Sequence, residues 1–148
     1  MNRPVAITII GLGSVGSITS LIPTLMARSL SFKLILWDKD VVSAHNPINQ
    51  LYRTEDEGEA DNPSYKVDAL SRILSYFSPS LETQRVRAFA DEESMLSEIT
   101  VVAVDSMQAR KKILQAARFN PHVALYIEAR SGGNLATVYA LDPRNPDD

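Results

Sequence analysis

The sequence predicts an α/β fold of the Rossmann-like kind: a mostly parallel sheet with helices on both faces and an antiparallel edge strand near the C-terminus. Three observations predict it. Residues 5–10 and 100–104 are short, almost continuously apolar or β-branched runs, the profile of strands buried on both faces. Segments with apolar residues at 3–4 spacing alternate with such runs, as in repeated βαβ units. The first run passes directly into Gly11-Leu12-Gly13-Ser14-Val15-Gly16, a G-x-G-x-x-G turn that opens a helical segment.

Each glycine of that turn has its own reason. Gly11 permits a tight exit from the strand, Gly13 lets backbone approach a phosphate, and Gly16 lets helix and strand pack closely. The helix would present free N–H groups and a positive dipole end to that phosphate, with Ser14 among its first residues. A nucleotide is therefore the expected ligand. After Gly16, residues Ile18, Leu21, Ile22, Leu25 and Met26 form a helical stripe, and the interior Pro23 predicts a kink. Residues 33–37 are the second strand. Asp38, 22 residues beyond Gly16, stands where a strand-end carboxylate meets a ribose hydroxyl.

The polar stretch 41–54 follows, with His45, Asn46, Asn49, Gln50 and Arg53, and reads as a binding wall beside Asp38. Residues 55–61 are an acidic run. Asn62-Pro63-Ser64 is a helix entry, and Val67, Leu70, Ile73, Leu74 and Phe77 are the buried stripe of the next helix. Lys66 lies in its first turn, where the dipole disfavours a cation, and this favours a functional role. Ser78-Pro79-Ser80 ends that helix. Residues 81–89 alternate around Arg85 and Arg87 and predict a strand nearer the sheet edge, and residues 91–99 a short helix with an acidic first turn. Residues 100–104 are the fourth strand, with Asp105 at its C-terminal end, where ligands bind in open α/β sheets. An unpaired carboxylate following a buried strand is costly to desolvate and calls for a cation. A helix over 107–118, a fifth strand over 124–129, a Gly132-Gly133 turn and an antiparallel edge strand over 135–141 complete the reading. Residues 1–142 form the expected nucleotide-binding domain, and 143–148 a linker or truncated tail.

The chain has 148 residues, 45% of them hydrophobic, which suffices for one domain with a core. Lys and Arg number 15 against 18 Asp and Glu, for a net charge of −3, and this excludes a general nucleic-acid binder. There is no cysteine, which suits the cytoplasm and excludes thiol chemistry by this chain. No apolar run reaches the roughly 18 residues that span a bilayer. Arg3 ahead of residues 5–10 superficially resembles a signal peptide, but the glycine pattern explains those residues better.

With the glycine turn, Asp38-Lys39-Asp40, His45-Asn-Pro-Ile-Asn-Gln50, Lys66 and Asp105 in place, the chain resembles the ThiF/MoeB/HesA family, adenylyltransferases related to ubiquitin-activating enzymes. The resemblance covers nearly all of the chain, with five motifs in order. Asp105 followed by Arg110 is similar to the family's aspartate-then-arginine motif. Ile127-Glu-Ala-Arg-Ser-Gly-Gly133 is similar to a segment of the shorter phage- and plasmid-type members. The resemblance implies that ATP binds on the glycine turn with Mg²⁺ and that a carboxylate attacks its α-phosphate, giving an acyl-adenylate and pyrophosphate. That carboxylate usually ends the Gly-Gly tail of a ubiquitin-like or sulfur-carrier protein. By position, Asp38 would hold the ribose with Asp40 nearby, Asn46 and Gln50 would contact phosphates, Lys66 would neutralise them, and Asp105 would hold Mg²⁺. The family also implies a homodimer or a heterodimer with a related subunit, and no membrane or nucleic-acid partner.

There are departures. Asn49 stands where the family has an arginine, and Arg53, three residues beyond the glutamine, is the candidate substitute. The interval from Gly58 to Lys66 is longer than usual. The family's zinc-binding cysteine pairs, catalytic cysteine and N-terminal arginine segment have no counterpart, so a fragment or a minimal member is expected. Two alternatives stay open: a degenerate, non-catalytic subunit that pairs with an active partner, and an NAD-binding oxidoreductase domain.

Overall fold

The computed structural model of the chain describes residues 4–91, 94, 96–132 and 134–145. Six strands form one sheet, β1 (Val5–Ile10), β2 (Phe32–Trp37), β3 (Glu82–Val86), β4 (Ile99–Val102), β5 (Leu125–Gly132) and β6 (Leu135–Leu141), in the order β3-β2-β1-β4-β5-β6. β1 to β5 run parallel and β6 pairs antiparallel with β5, Gly132 opposite Leu135. The fold is thus the Rossmann-like, mostly parallel sheet with an antiparallel edge. The strand order reverses between β1 and β4, the topological switch point outside which open α/β sheets bind ligands.

Alternation along the strands sends side chains to two cores. Ile7, Ile9, Leu34, Leu36 and Val101 face helix α3 (Lys66–Phe77), which buries Val67, Ala69, Leu70, Ile73 and Leu74 against them. Ile10, Val102 and Tyr126 face helix α4 (Met107–Arg118), which buries Ile113, Ala116 and Ala117. Complete burial of each such aliphatic side chain contributes about 1.5–3 kcal/mol. α3 follows the predicted stripe, except that Phe77, at its end, is 46% exposed, and α4 covers the expected span 107–118.

Three expectations change. The kinked helix is instead two helices, α1 (Ser14–Thr19) and α2 (Leu21–Met26), parted at Ser20. The restart puts Pro23 in the first turn of α2, where the N–H it lacks has no helical partner to lose. The strand expected over 81–89 stops at Val86, so residues 88–90 leave the sheet. In the helix expected over 91–99, Glu92, Glu93 and Met95 lie outside the described residues, and Asp91, Ser94 and residues 96–98 are not helical. Gly133 of the expected glycine turn also lies outside the described residues, as do Arg3 and residues 146–148 of the tail. Among the described residues no helix is long and apolar enough to cross a membrane.

Candidate functional site

The C-terminal ends of β1, β2 and β4 open onto a cavity of about 370 Å³. Its first wall is the glycine turn. Gly11 takes a left-handed φ of 84°, and a Cβ there would lie 2.8 Å from the Val104 nitrogen, so only glycine fits without strain. A Cβ on Gly16 would collide with the carbonyl oxygen of Gly11. At Gly13, by contrast, nothing lies within 4 Å of where a Cβ would stand, so its backbone is open to a ligand. The turn is tied from outside. Leu12 N donates to Asp38 Oδ2 at 2.6 Å, and Tyr52 Oη donates to Leu12 O at 2.8 Å. Leu51 N donates to Ser17 Oγ at 3.2 Å. Burial, with Asp38, Asp56 and Asp40 nearby, raises the pKa of the Tyr52 hydroxyl far above its ordinary 10.0, so it remains a donor.

The second wall is the segment after β2. Asp38 also accepts from Asp40 N at 2.8 Å, which makes it the knot of the loop as well as a cavity-lining carboxylate. Residues 40–42 run beside residues 64–66: Val42 N donates to Ser64 O at 2.8 Å and Lys66 N to Asp40 O at 2.9 Å. That ladder delivers Lys66, distant in sequence, to the cavity. Its side chain is 10% exposed and its Nζ lies 3.8 Å from Asp40 Oδ2. The cation judged misplaced therefore has a counter-ion in the protein, and Asp68 in the same first turn offsets the dipole further. Asp40 is shared, since its Oδ1 also accepts from Lys39 Nζ at 2.7 Å, and this hydrogen bond raises the Lys39 pKa. Lys39 Nζ in turn sits 4.6 Å from the centre of the Phe89 ring.

The third wall comes from β4 and β5. Asp105 lines the cavity but is exposed, so the expectation of a costly buried carboxylate is corrected: water reaches it freely. Beside it, Ser106 caps α4, its Oγ accepting from Ala109 N at 3.2 Å. Arg110 is 5% exposed and lines the cavity. It donates through Nη2 to Ala129 O at 3.0 Å and lies 3.4 Å from the buried Glu128, which also takes Arg130 and, at 3.3 Å, the Tyr126 hydroxyl.

Of the predicted residues, Gly11, Gly13, Ser14, Asp38, Asp40, Gln50, Lys66 and Asp105 line this one cavity, with Gly16 packed beneath it. Asn46, Asn49 and Arg53 do not line it. Asn46 is buried and uses its Oδ1 to accept from Ser43 N at 2.9 Å, which is a turn-forming role. Asn49 is exposed, and so is Arg53, whose guanidinium lies 3.4 Å from Glu55. Sequence reasoning missed Trp37, Phe89, Ser106 and Ser131, and read Lys39 and Arg110 only as parts of motifs. A large side chain at a strand's C-terminal end, for Trp37, or just past it, for Phe89, was the available signal. Among the described residues, three buried polar atoms of lining residues meet neither a hydrogen-bond partner nor a counter-ion: Trp37 Nε1, Gln50 Oε1 and Arg110 Nε, whereas Arg110 Nη1 has the Glu128 carboxylate at 3.4 Å. Such groups cost about 1–3 kcal/mol each when left unpaired, and they mark where a polar ligand would be gained. Among the described residues no cluster of three or more His, Asp or Glu could hold a metal ion by itself.

Parallel strands, a glycine turn at the switch point and carboxylates at the strand ends define a nucleotide-binding type of α/β domain. The ThiF family profile matches residues 3–145, and the chain belongs to the ThiF family. Ubiquitin-like modifier-activating enzyme 5 of Drosophila virilis is 35% identical over 82 residues, 55% of this chain and 18% of that protein. The Drosophila grimshawi enzyme is 37% identical over 79 residues, 53% of this chain and 18% of the relative. The match thus spans under a fifth of these curated relatives. The structure of PaaA superposes with a TM-score of 0.71 at 22% identity, covering 96% of this chain and 46% of that one. That of E. coli tRNA N6-threonylcarbamoyladenosine dehydratase, TcdA, in complex with AMP gives 0.67 at 19%, covering 88% and 53%. E. coli MccB with AMPCPP and MccA gives 0.71 at 19%, covering 95% and 41%. These three likenesses bear on the fold.

Proposed function

We propose that the chain binds ATP and activates a carboxylate as its adenylate, with residues 1–142 as the adenylation domain. The observation that carries this reading is the meeting of an unobstructed glycine turn, Lys66 and Asp105 around one cavity. A dinucleotide gives Lys66 and Asp105 no work, whereas a triphosphate uses both. Membership of the ThiF family, the likeness to ubiquitin-like modifier-activating enzymes, and the AMP and AMPCPP bound in two of the solved neighbours support it.

In this reading the attacking carboxylate oxygen forms a bond to the α-phosphorus and the bond to the departing pyrophosphate breaks. Both partners are anions, so fixed donors and cations supply most of the help. Amides of the glycine turn and the first turn of α1 hold the phosphates, Asp38 takes the ribose, and Lys66 exchanges Asp40 for phosphate. Gln50 offers its unpartnered oxygen to a donor on the ligand. Mg²⁺ is bound by one or two carboxylates plus substrate phosphates, so the single, exposed Asp105 fits an ion that arrives with the nucleotide. Bound there, the ion would neutralise phosphate charge. The acceptor we propose is a ubiquitin-like or sulfur-carrier protein with a Gly-Gly tail, the setting the cytoplasm, and the assembly a dimer with a second copy or a related subunit.

ATP–pyrophosphate exchange with a panel of Gly-Gly-tailed carriers tests this. Wild type should exchange, and Asp105→Ala should fold normally yet lose exchange. Equal exchange by the variant would remove Asp105 from the metal role. A second reading, a non-catalytic subunit, draws on Asn49 and Arg53: neither brings the family's phosphate-binding arginine to the cavity. ATP binding without exchange for any carrier would favour it.

A further inference from the structure

Phe89 is 72% exposed and lines the cavity at the C-terminal end of β3, flanked by Ala88 and Ala90. An isolated exposed phenylalanine needs no explanation. This one is held in place: the Lys39 ammonium covers its ring at 4.6 Å, and Asp40 pins Lys39 at 2.7 Å. Trp37 lines the same end of the cavity, and its buried indole N–H meets no acceptor among the described residues. An indole N–H can only donate. A flat, held aromatic face and a donor wanting an acceptor are what a nucleobase supplies, through its π-face and its ring nitrogens or carbonyls. We propose that Phe89, held by Lys39, is the stacking wall for the base and that Trp37 Nε1–H donates to an acceptor atom on it. The cavity then selects its nucleotide by base as well as by phosphate. A purine is favoured because its two rings cover more of Phe89.

Asp40 gains a role of its own beside Asp38. It is the common counter-ion of Lys39 and of Lys66, 3.8 Å away, and so links the base wall to the phosphate end. The inference rests on the reading that the cavity holds a nucleotide, but not on the reaction that follows.

The test uses the full chain, with ATP and with tripolyphosphate, which has no base. Trp37 is the one tryptophan of the sequence, so its emission reports this end of the cavity. ATP should shift the emission and tripolyphosphate should not. Calorimetry should show Phe89→Ala weakening ATP about tenfold while tripolyphosphate affinity changes less than about twofold, with Phe89→Tyr restoring ATP. Trp37→Phe, which keeps a ring and loses the donor, should weaken ATP about five- to tenfold. Because Phe89 is exposed, unchanged melting of its variants separates binding from folding. Equal affinity of wild type for ATP and tripolyphosphate, or a parallel loss of both in Phe89→Ala, would overturn the proposal. If ATP is bound through Phe89 but never exchanges pyrophosphate, the base wall stands and the adenylation reading falls. If exchange proceeds and Phe89→Ala binds ATP as wild type does, the reverse holds.

Discussion

The glycine turn and the end of β4 face each other across one cavity and are built on opposite principles. The turn is backbone: Gly11 has a φ only glycine tolerates cheaply, Gly16 has no room for a methyl group, and Leu12 between them is completely buried. The end of β4 is side chain: Asp105 and Ser106 stand exposed on a helix start that would fold equally well without the carboxylate. A wall made of backbone fails by losing its shape, and a wall made of side chains fails by losing its chemistry. Measurements that separate stability from activity should therefore sort substitutions by wall.

The largest expected effect is at Gly16. Gly16→Ala forces the Gly11 carbonyl aside in a close-packed turn and should cost about 3 kcal/mol or more of stability in denaturant unfolding. A loss under 1 kcal/mol would mean the turn is more pliant than its contacts imply. Next comes Lys66→Ala, which removes one charge-assisted contact to phosphate. It should cost about 1.5–3 kcal/mol in transition-state terms, read as kcat/KM for pyrophosphate exchange. Asp40 loses a partner in this variant but is half-exposed, so melting should move little.

The third effect depends on pH. Burial raises the hydroxyl pKa of both Tyr52 and Tyr126 above 10.0, so each contributes stability that is complete below pH 10 and is lost as pH climbs towards the folded-state value. Above pH 10 unfolding should become easier by about 1.4 kcal/mol per pH unit for each tyrosine, and Tyr52→Phe should remove one such share. A flat stability profile to pH 11 would show that water reaches these hydroxyls. The smallest effect is at Gly13. With nothing within 4 Å of the added methyl group, Gly13→Ala should change stability by less than about 0.5 kcal/mol and act on nucleotide affinity instead. It would be the one glycine of the turn that behaves like the opposite wall.

Much of this was legible in the sequence because it is local. The G-x-G-x-x-G spacing, Asp38 at the end of β2 and Asp105 after β4 follow from strands whose ends are marked by composition. Lys66 was found through an electrostatic oddity, although the counter-ion that resolves it, Asp40, comes from a ladder between residues 40–42 and 64–66 that no periodicity announces. Arg53 and Asn49 lie off the cavity because they flank two 3-10 turns, Asn46–Ile48 and Thr54–Asp56, which no periodicity announces, and Arg53 pairs with Glu55 instead. Phe89 continues the alternation of a strand that in fact ends three residues earlier, at Val86, so its place on the cavity is not visible in the pattern. A kink at Pro23 was the cautious expectation, yet the chain found a cheaper answer by stopping at Ser20 and starting a new helix.

The ties on Leu12 carry a consequence in time. Its amide is held by Asp38 and its carbonyl by Tyr52, side chains from two other segments, so the turn cannot breathe without disturbing both. The Leu12 amide should exchange with solvent deuterium only as fast as the whole domain opens, even with no ligand bound. A nucleotide would then meet a cradle already set, and its arrival rate would be governed by diffusion and charge rather than by waiting for a loop to fold.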